Sequence, residues 1–232
     1  MSQHSFFDQL SEQWWSESGA FALLHSMNSA RIQFIKNLSE KYFLKNGLEN
    51  LNILDVGCGG GIACESLTRL GAEVTGIDVV ERSILVARTH AVEQGLSIKY
   101  ECVDLLHVKS TYDIIACLEV VEHVNDLEIF LVGLMERVNK GGIIVLSTLN
   151  RTIFSYLIGI LGAEYIAAKV PVGTHNWNNF VEPSELVALM ESHGMATLEL
   201  KGLNYSILKD LWHLGDDLSM NYLAAFRKPP LN

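Results

Sequence analysis

From residue 51 onward the chain alternates short apolar runs with stretches whose apolar positions recur every three or four residues. Runs at 51–56, 72–77, 97–102, 112–118 and 143–148 have the length of strands. The run at 112–118 is nearly all apolar, as a strand covered on both faces should be. Between these runs, 62–70, 81–94 and 127–138 carry helical spacing, and Gly71 and Gly95 follow the first two as helix-ending glycines. Strands alternating with helices predict a mostly parallel, doubly wound α/β sheet. Residues 151–180 break the alternation. A helix at 183–192, a strand at 195–200 and a last, antiparallel strand at 222–226 resume it. Residues 1–50 read as a helical cover anchored by Trp14, Trp15 and Phe21, with an amphipathic helix running through Arg31 and stopping near Gly47. The pattern thus divides one domain into a cover (1–50), a core (51–150), an apolar insertion (151–180) and the rest of the sheet (181–232).

Composition narrows this picture in three ways. With 49% hydrophobic and 19% charged residues in 232, the chain has enough apolar content for a well-buried core. The formal net charge of −10 disfavours general nucleic-acid binding, which needs Lys and Arg to neutralise phosphates. The cysteines (Cys58, Cys64, Cys102, Cys117) form no C-x-x-C pair, so they read as small buried residues in a reducing compartment. The N-terminus lacks a basic segment followed by an apolar run, and the longest uncharged apolar stretch, 152–163, is well short of the roughly 20 residues that span a bilayer. A cytoplasmic protein is expected, with peripheral contact at the inner face of the membrane left open.

The first strand ends in Asp55-Val56-Gly57-Cys58-Gly59-Gly60-Gly61 and leads into a helix. Such a turn lets a ligand approach the backbone, beside the N–H groups and partial positive charge of the helix start. A dinucleotide site wants G-x-G-x-x-G, but Ile62 stands where the third glycine belongs, and no G-K-[S/T] follows for a P-loop. The spacing Asp55, Gly57, Gly59, Gly61 resembles motif I of the Rossmann-like methyltransferases, which implies S-adenosylmethionine. Asp78, at the tip of the second strand, stands where an acid accepts hydrogen bonds from ribose hydroxyls; a surface turn residue is the rival reading. The glycine turn, with Asp55 nearby, would hold the cofactor's amino-acid end. Asp104 after the third strand is a candidate for the adenine amino group or a helix N-cap. Leu118, at the carboxyl end of the fourth strand, is a candidate adenosine contact or a core residue.

Over nearly the whole chain the sequence resembles the ubiquinone-biosynthesis O-methyltransferases (3-demethylubiquinol 3-O-methyltransferase, also 2-polyprenyl-6-hydroxyphenol methylase). The shared residues are Trp14-Trp15 with Gly19, Phe21, Leu24-His25, Asn28 and Arg31; then the 54–61 turn; then Glu119-Val120-Val121-Glu122-His123-Val124. Ser147-Thr148-Leu149-Asn150-Arg151, Gly162-Ala163-Glu164-Tyr165-Ile166 and Gly173-Thr174-His175 continue it. Asn139-Lys140-Gly141-Gly142 and Ser16 depart from the family pattern. The resemblance implies that Arg31, Gly57, Asp78 and Leu118 contact S-adenosylmethionine; for Arg31 this makes sense, because a guanidinium can pair with the cofactor's carboxylate.

It also implies that Glu119, Glu122 and His123 bind a divalent ion such as Mg²⁺, which would chelate adjacent oxygens of a catechol-like ring. At i, i+3 and i+4 the three would share one face if the segment is helical. The alternative has Glu119 holding the cofactor region, Glu122 exposed and His123 a general base or a packed histidine. A phenol is a poor nucleophile at neutral pH, so a base or metal is needed; His123, Glu122 and His175 are the candidate catalytic groups. The acceptor implied is a polyprenylated phenol. The apolar run at 151–172 is either a buried helix of a lid or a segment that dips into the lipid interface where such an acceptor dissolves. A ubiquinone-biosynthesis complex is a further expected partner. The competing readings are a methyltransferase with another small acceptor and a non-catalytic, cofactor-binding assembly protein.

Overall fold

The computed structural model describes residues 10–16, 21–152, 180–206 and 208–230. The insertion from 153 to 179, and with it His175, lies outside the described residues.

The elements follow the hydrophobic pattern closely. A short turn of 3₁₀ helix at Ser11–Gln13 precedes α1 (Ala22–Tyr42). Then come β1 (Asn52–Val56), α2 (Ile62–Arg69), β2 (Glu73–Asp78), α3 (Glu81–Glu93) and β3 (Lys99–Cys102). The second half contains β4 (Tyr112–Leu118), α4 (Leu127–Arg137), β5 (Val138–Leu149), α5 (Pro183–Ser192), β6 (Ala196–Ser206), β7 (Leu211–Gly215) and β8 (Asn221–Arg227). Gly71 adopts φ +95° and Gly95 φ +67° just past α2 and α3, the left-handed backbone that lets a helix end.

The strands form one sheet in the order β3-β2-β1-β4-β5-β8-β6-β7. Strands β1 to β5 are parallel, and β8 is antiparallel to β5, as its position at the end of the chain suggested. Several bounds and pairings differ from the sequence expectation. β7 is an additional strand paired to β6 as an antiparallel hairpin. β5 begins at Val138 and not at 143, with a register shift where the Asn139–Gly142 corner bulges from it. α1 ends at Tyr42, five residues before Gly47.

Each sheet face packs its own core. Ile53, Ile114, Ala116, Val145, Leu223 and Ala225 face one way, towards α1, α2 and α3. Leu54, Ile115, Cys117, Ile144, Leu146 and Tyr222 face the other, towards α4 and α5. The strand order reverses between β1 and β4, so a crevice opens outside their carboxyl ends, the place where open α/β sheets bind ligands. No helix among the described residues is long and apolar enough to cross a membrane.

Candidate active site

The glycine turn after β1 is held mainly by its own N–H groups. Gly57 N–H and Cys58 N–H both donate to the Ile77 carbonyl of β2, each at 2.9 Å, and Gly61 N–H donates to the Cys58 carbonyl. Gly59 N–H donates to Asp78 Oδ2 at 2.9 Å. The turn's own N–H groups are thus mostly taken, and its glycines let side chains of neighbouring elements lie close against the backbone. Gly57, Gly59 and Gly61 all have left-handed φ, which fixes glycine there on backbone grounds alone. At Gly57 an added Cβ would lie 2.5 Å from Val120 Cγ2, on the β4 side of the crevice.

The second and third glycines serve another partner too. Trp14 lies directly on Gly59 and Gly60, so that a Cβ at either would collide with its indole. Trp14 Nε1 donates to Ser83 Oγ at the start of α3, and Phe21 stacks on the ring at 3.8 Å. Trp15 Nε1 donates to the Gly60 carbonyl while its ring stacks on His90, itself bonded to the buried Glu65. The tryptophan pair, read in the sequence as an anchor, thus fastens the N-terminal segment to the glycine turn.

Asp78 sits half-buried at the tip of β2. Its Oδ1 accepts from Val80 N–H at 2.8 Å and its Oδ2 from Gly59, so the position of the carboxylate is fixed. Asp55 lies under the turn, 2% exposed, and accepts a hydrogen bond from the Cys64 thiol at 3.1 Å. Burial above all, with the Asp78 charge adding to it, pushes its carboxyl from 3.8 up to about 7, against the Cys64 bond and Arg31, which lower it. Asp104 is exposed and caps the 3₁₀ turn at Leu105–His107, its Oδ1 accepting from Leu106 N–H at 2.8 Å. Leu118 ends β4 half-buried against the α1-side core.

Arg31 is on the buried stripe of α1, one turn from Met27 and one from Ile35. It is 4% exposed, and its Nη2 pairs with Glu119 Oε1 at 3.0 Å. Glu119 leaves β4 with φ +58°, a left-handed conformation that costs a residue with a Cβ about 1 kcal/mol. Ser147 Oγ donates to Glu119 Oε1 at 2.8 Å, and Asn221 Nδ2 approaches both carboxylate oxygens at 3.3 and 3.4 Å. Glu122 is buried, not exposed, on the opposite sheet face, and accepts from Thr148 Oγ1 at 2.8 Å. Burial first, then the Glu119 charge, push its carboxyl from 4.5 up to about 8; Thr148 and Arg31 lower it. His123 is half-buried at the end of the 3₁₀ turn Val121–His123, with its N–H on the Val120 carbonyl.

A methyltransferase-domain model matches residues 23–200. Proteins named ubiquinone biosynthesis O-methyltransferase match nearly end to end. The one from Pelagibacter ubique is 40% identical, covering 96% of this chain and 95% of its own. The one from Nitrobacter winogradskyi is 41% identical, covering 94% and 87%. The chain belongs to the ubiquinone biosynthesis O-methyltransferase family. It is an S-adenosylmethionine-dependent O-methyltransferase. Among solved structures, the plantazolicin methyltransferase BpumL, in complex with a monoazolic desmethylPZN analogue and SAH, shares the fold at TM-score 0.67 and 16% identity, covering 97% and 96% of the two chains. Magnesium protoporphyrin IX methyltransferase from Synechocystis PCC 6803, with bound SAH, does so at TM-score 0.62 and 18% identity, covering 87% and 85%.

The cofactor-side residues of this methyltransferase fit the group the family uses: a glycine turn, a fixed carboxylate and a buried guanidinium gather at the carboxyl ends of β1, β2 and β4. The divalent ion fits poorly. The helical face that the Glu119, Glu122, His123 spacing suggested is not formed, because Glu119 departs in a left-handed conformation and only a 3₁₀ turn follows. Glu119 and Glu122 lie on hydrogen-bond networks of opposite sheet faces. Among the described residues no three His, Cys, Asp or Glu side chains converge on a point that could hold a metal ion. Sequence reasoning missed Ser83, Ser147, Thr148 and Asn221 as supports. Only the position of Ser147 and Thr148 at the end of an otherwise apolar strand marked two of them.

Two of the buried carboxyls, Asp55 and Glu122, carry a pH signature. In the unfolded chain Asp55 and Glu122 ionise near 3.8 and 4.5, in the folded cofactor-free protein near 7 and 8. Folding therefore holds protons the unfolded chain has released, and the stability this contributes is complete below about pH 4 and lost as pH rises through 7 to 8. Denaturant unfolding of the cofactor-free protein should show lower stability at pH 9 than at pH 6, and Glu122→Gln should lessen the fall. A Glu122→Gln profile as steep as wild type would contradict the burial of that charge.

Proposed function

We propose that the protein transfers the methyl group of S-adenosylmethionine to a phenolic oxygen of a polyprenylated ring in ubiquinone biosynthesis. The observation that carries the reading is the crevice at the β1/β4 reversal, where Asp78, the glycine turn and buried Arg31 sit beside the Glu119–His123 segment. When bound, the cofactor supplies a methyl group already activated as a sulfonium, so the protein's task is positioning and proton management. Asp78 takes the ribose hydroxyls and Arg31 the cofactor's carboxylate. The glycine turn at Gly57 meets its amino-acid end beside Val120, and Asp55 supports the turn from beneath through Cys64. Leu118 lies along the adenosine, and the Asp104 carboxylate takes the adenine amino group. His123, half-buried on the rim after β4, removes the phenol proton, with His175 as a second candidate base. Glu122, its carboxyl pushed up by burial and by the Glu119 charge, supports the 3₁₀ turn through Thr148.

The prenyl tail gives the acceptor most of its apolar area, and the run at 153–168 has the composition to meet it at a bilayer surface, within or outside a ubiquinone-biosynthesis assembly. Rates should be compared for a catechol with a short prenyl tail and the same ring without one, in wild type and a chain lacking 153–168. Wild type should prefer the tailed ring by about tenfold or more in kcat/KM, as a few buried methylenes allow, and the deletion should lose that preference and float less with liposomes. Equal rates for the two rings in wild type would remove the prenylated acceptor.

A further inference from the structure

We propose that Glu119 is a positioning residue for the cofactor-binding arginine, held in place by Ser147 and Asn221, and is not a ligand to a divalent ion. The inference rests on the reading that Arg31 meets the cofactor's carboxylate.

Three side chains from three elements meet at the carboxylate of Glu119. Arg31 comes from α1, Glu119 from the end of β4, Ser147 from β5 and Asn221 from the first position of β8. Glu119 Oε1 receives Arg31 Nη2 at 3.0 Å, Ser147 Oγ at 2.8 Å and Asn221 Nδ2 at 3.3 Å. Its Oε2 has Asn221 at 3.4 Å. Arg31, Ser147 and Asn221 are 4%, 0% and 4% exposed, so the contacts are shielded from water and long-lived side-chain placement follows. The guanidinium already compensates the charge of this carboxylate, and only Oε2, with Asn221 at 3.4 Å, is left to meet a metal, without the two further His, Cys, Asp or Glu side chains among the described residues that would complete a metal site.

The arginine is not used up by this pairing. Arg31 Nε is buried and has no hydrogen-bond partner among the described residues. A guanidinium presents its N–H groups in a rigid planar fork, so fixing one Nη on Glu119 fixes the direction of every other donor. Glu119 thereby aims the remaining donors of Arg31 and neutralises its charge while the crevice is empty of cofactor. The left-handed backbone of Glu119 fits this reading: the strain brings the carboxylate round from the strand end to the α1 helix.

The supporting residue is Asn221, which begins β8 and pairs in register with Leu149 at the end of β5. Its amide is the element of the network farthest in sequence from the cofactor motifs. Its Oδ1 is buried and has no partner among the described residues, so the hydrogen bonds of the side chain are its Nδ2 contacts to Glu119.

The test is calorimetric titration of S-adenosylmethionine, and separately of Mg²⁺ alone, into full-length wild type, Glu119→Gln, Asn221→Ala and Arg31→Lys. Glu119→Gln keeps the shape and Ser147's acceptor but removes the charge. It should raise the cofactor Kd about tenfold, the scale of one charge-assisted hydrogen bond, with KM for the acceptor and kcat at saturating cofactor close to wild type. Asn221→Ala, which leaves the strained Glu119 backbone intact, should raise the cofactor Kd about threefold with the same KM-against-kcat split. A purely structural role would instead lower the melting temperature with unchanged Kd. A cofactor Kd unchanged in folded Glu119→Gln and Asn221→Ala, or Mg²⁺ binding present in wild type and lost in Glu119→Gln, overturns the proposal. If Arg31→Lys also leaves the cofactor Kd unchanged, the assignment of Arg31 to the cofactor fails as well; a weakened Arg31→Lys beside an unaffected Glu119→Gln sinks the positioning role alone.

Discussion

Arg31→Ala should weaken S-adenosylmethionine binding about 100-fold and destabilise the cofactor-free protein by about 3 kcal/mol or more. The two effects have different origins. The affinity loss comes from removing the donor for the cofactor's carboxylate. The stability loss comes from Glu119, whose side chain is only 15% exposed and would keep its charge without a counter-ion. A double substitution separates them. Arg31→Ala with Glu119→Gln removes the buried charge along with its partner, so stability should largely return while cofactor affinity stays low. Calorimetric titration and denaturant melts of the two variants check this. Recovery of affinity in the double variant would mean that Arg31 acts on the fold and not on the cofactor.

His123→Ala should lower kcat by about 10² to 10⁴, the range for loss of a general base, with cofactor affinity close to wild type. The histidine is half-buried on the 3₁₀ turn that follows β4, while Glu122 beside it is buried and bonded to Thr148. That leaves the imidazole as the group within the Glu119–His123 segment best placed to reach a substrate entering the crevice. The loss should shrink for acceptor analogues with acidic phenols, which need less help to ionise. Single-turnover rates across a series of ring substituents measure this. A constant loss across the series would assign His123 to packing of the turn.

Much of the fold is legible because hydrophobic period and turn glycines are local signals. Strands β1 to β4 and helices α2, α3 and α5 follow from apolar runs of strand length and from helical spacing closed by glycines or opened by Pro183. The β6–β7 hairpin is not legible, since Leu211 to Gly215 is short, mixed in polarity and sits on the sheet edge where only one neighbour constrains it. The site divides along the same line. The glycine turn and Asp78 are readable because their chemistry requires particular residues at fixed spacing. The turn's N–H groups look available in sequence, yet Ile77 and Asp78 take them, a partnership set by β1–β2 pairing. The Glu119, Glu122, His123 spacing suggests one helical face. The left-handed step at Glu119, which brings its carboxylate to Arg31, breaks that face, and nothing local announces it. Arg31 itself could be found as a charge on an otherwise apolar stripe, which in a buried helix demands a partner. The partner, Glu119, is 88 positions away and only the fold supplies it.

The central claim is that this crevice moves a methyl group from S-adenosylmethionine to a phenolic oxygen of a polyprenylated ring. Its most direct test is to incubate the full-length protein with methyl-labelled S-adenosylmethionine and a short-tailed prenyl catechol, and to locate the label in the product by mass spectrometry. The account predicts one labelled methyl on a ring oxygen, formed by wild type and strongly reduced in Arg31→Ala and His123→Ala. Label on carbon or on no acceptor at all, with the cofactor bound, would contradict it.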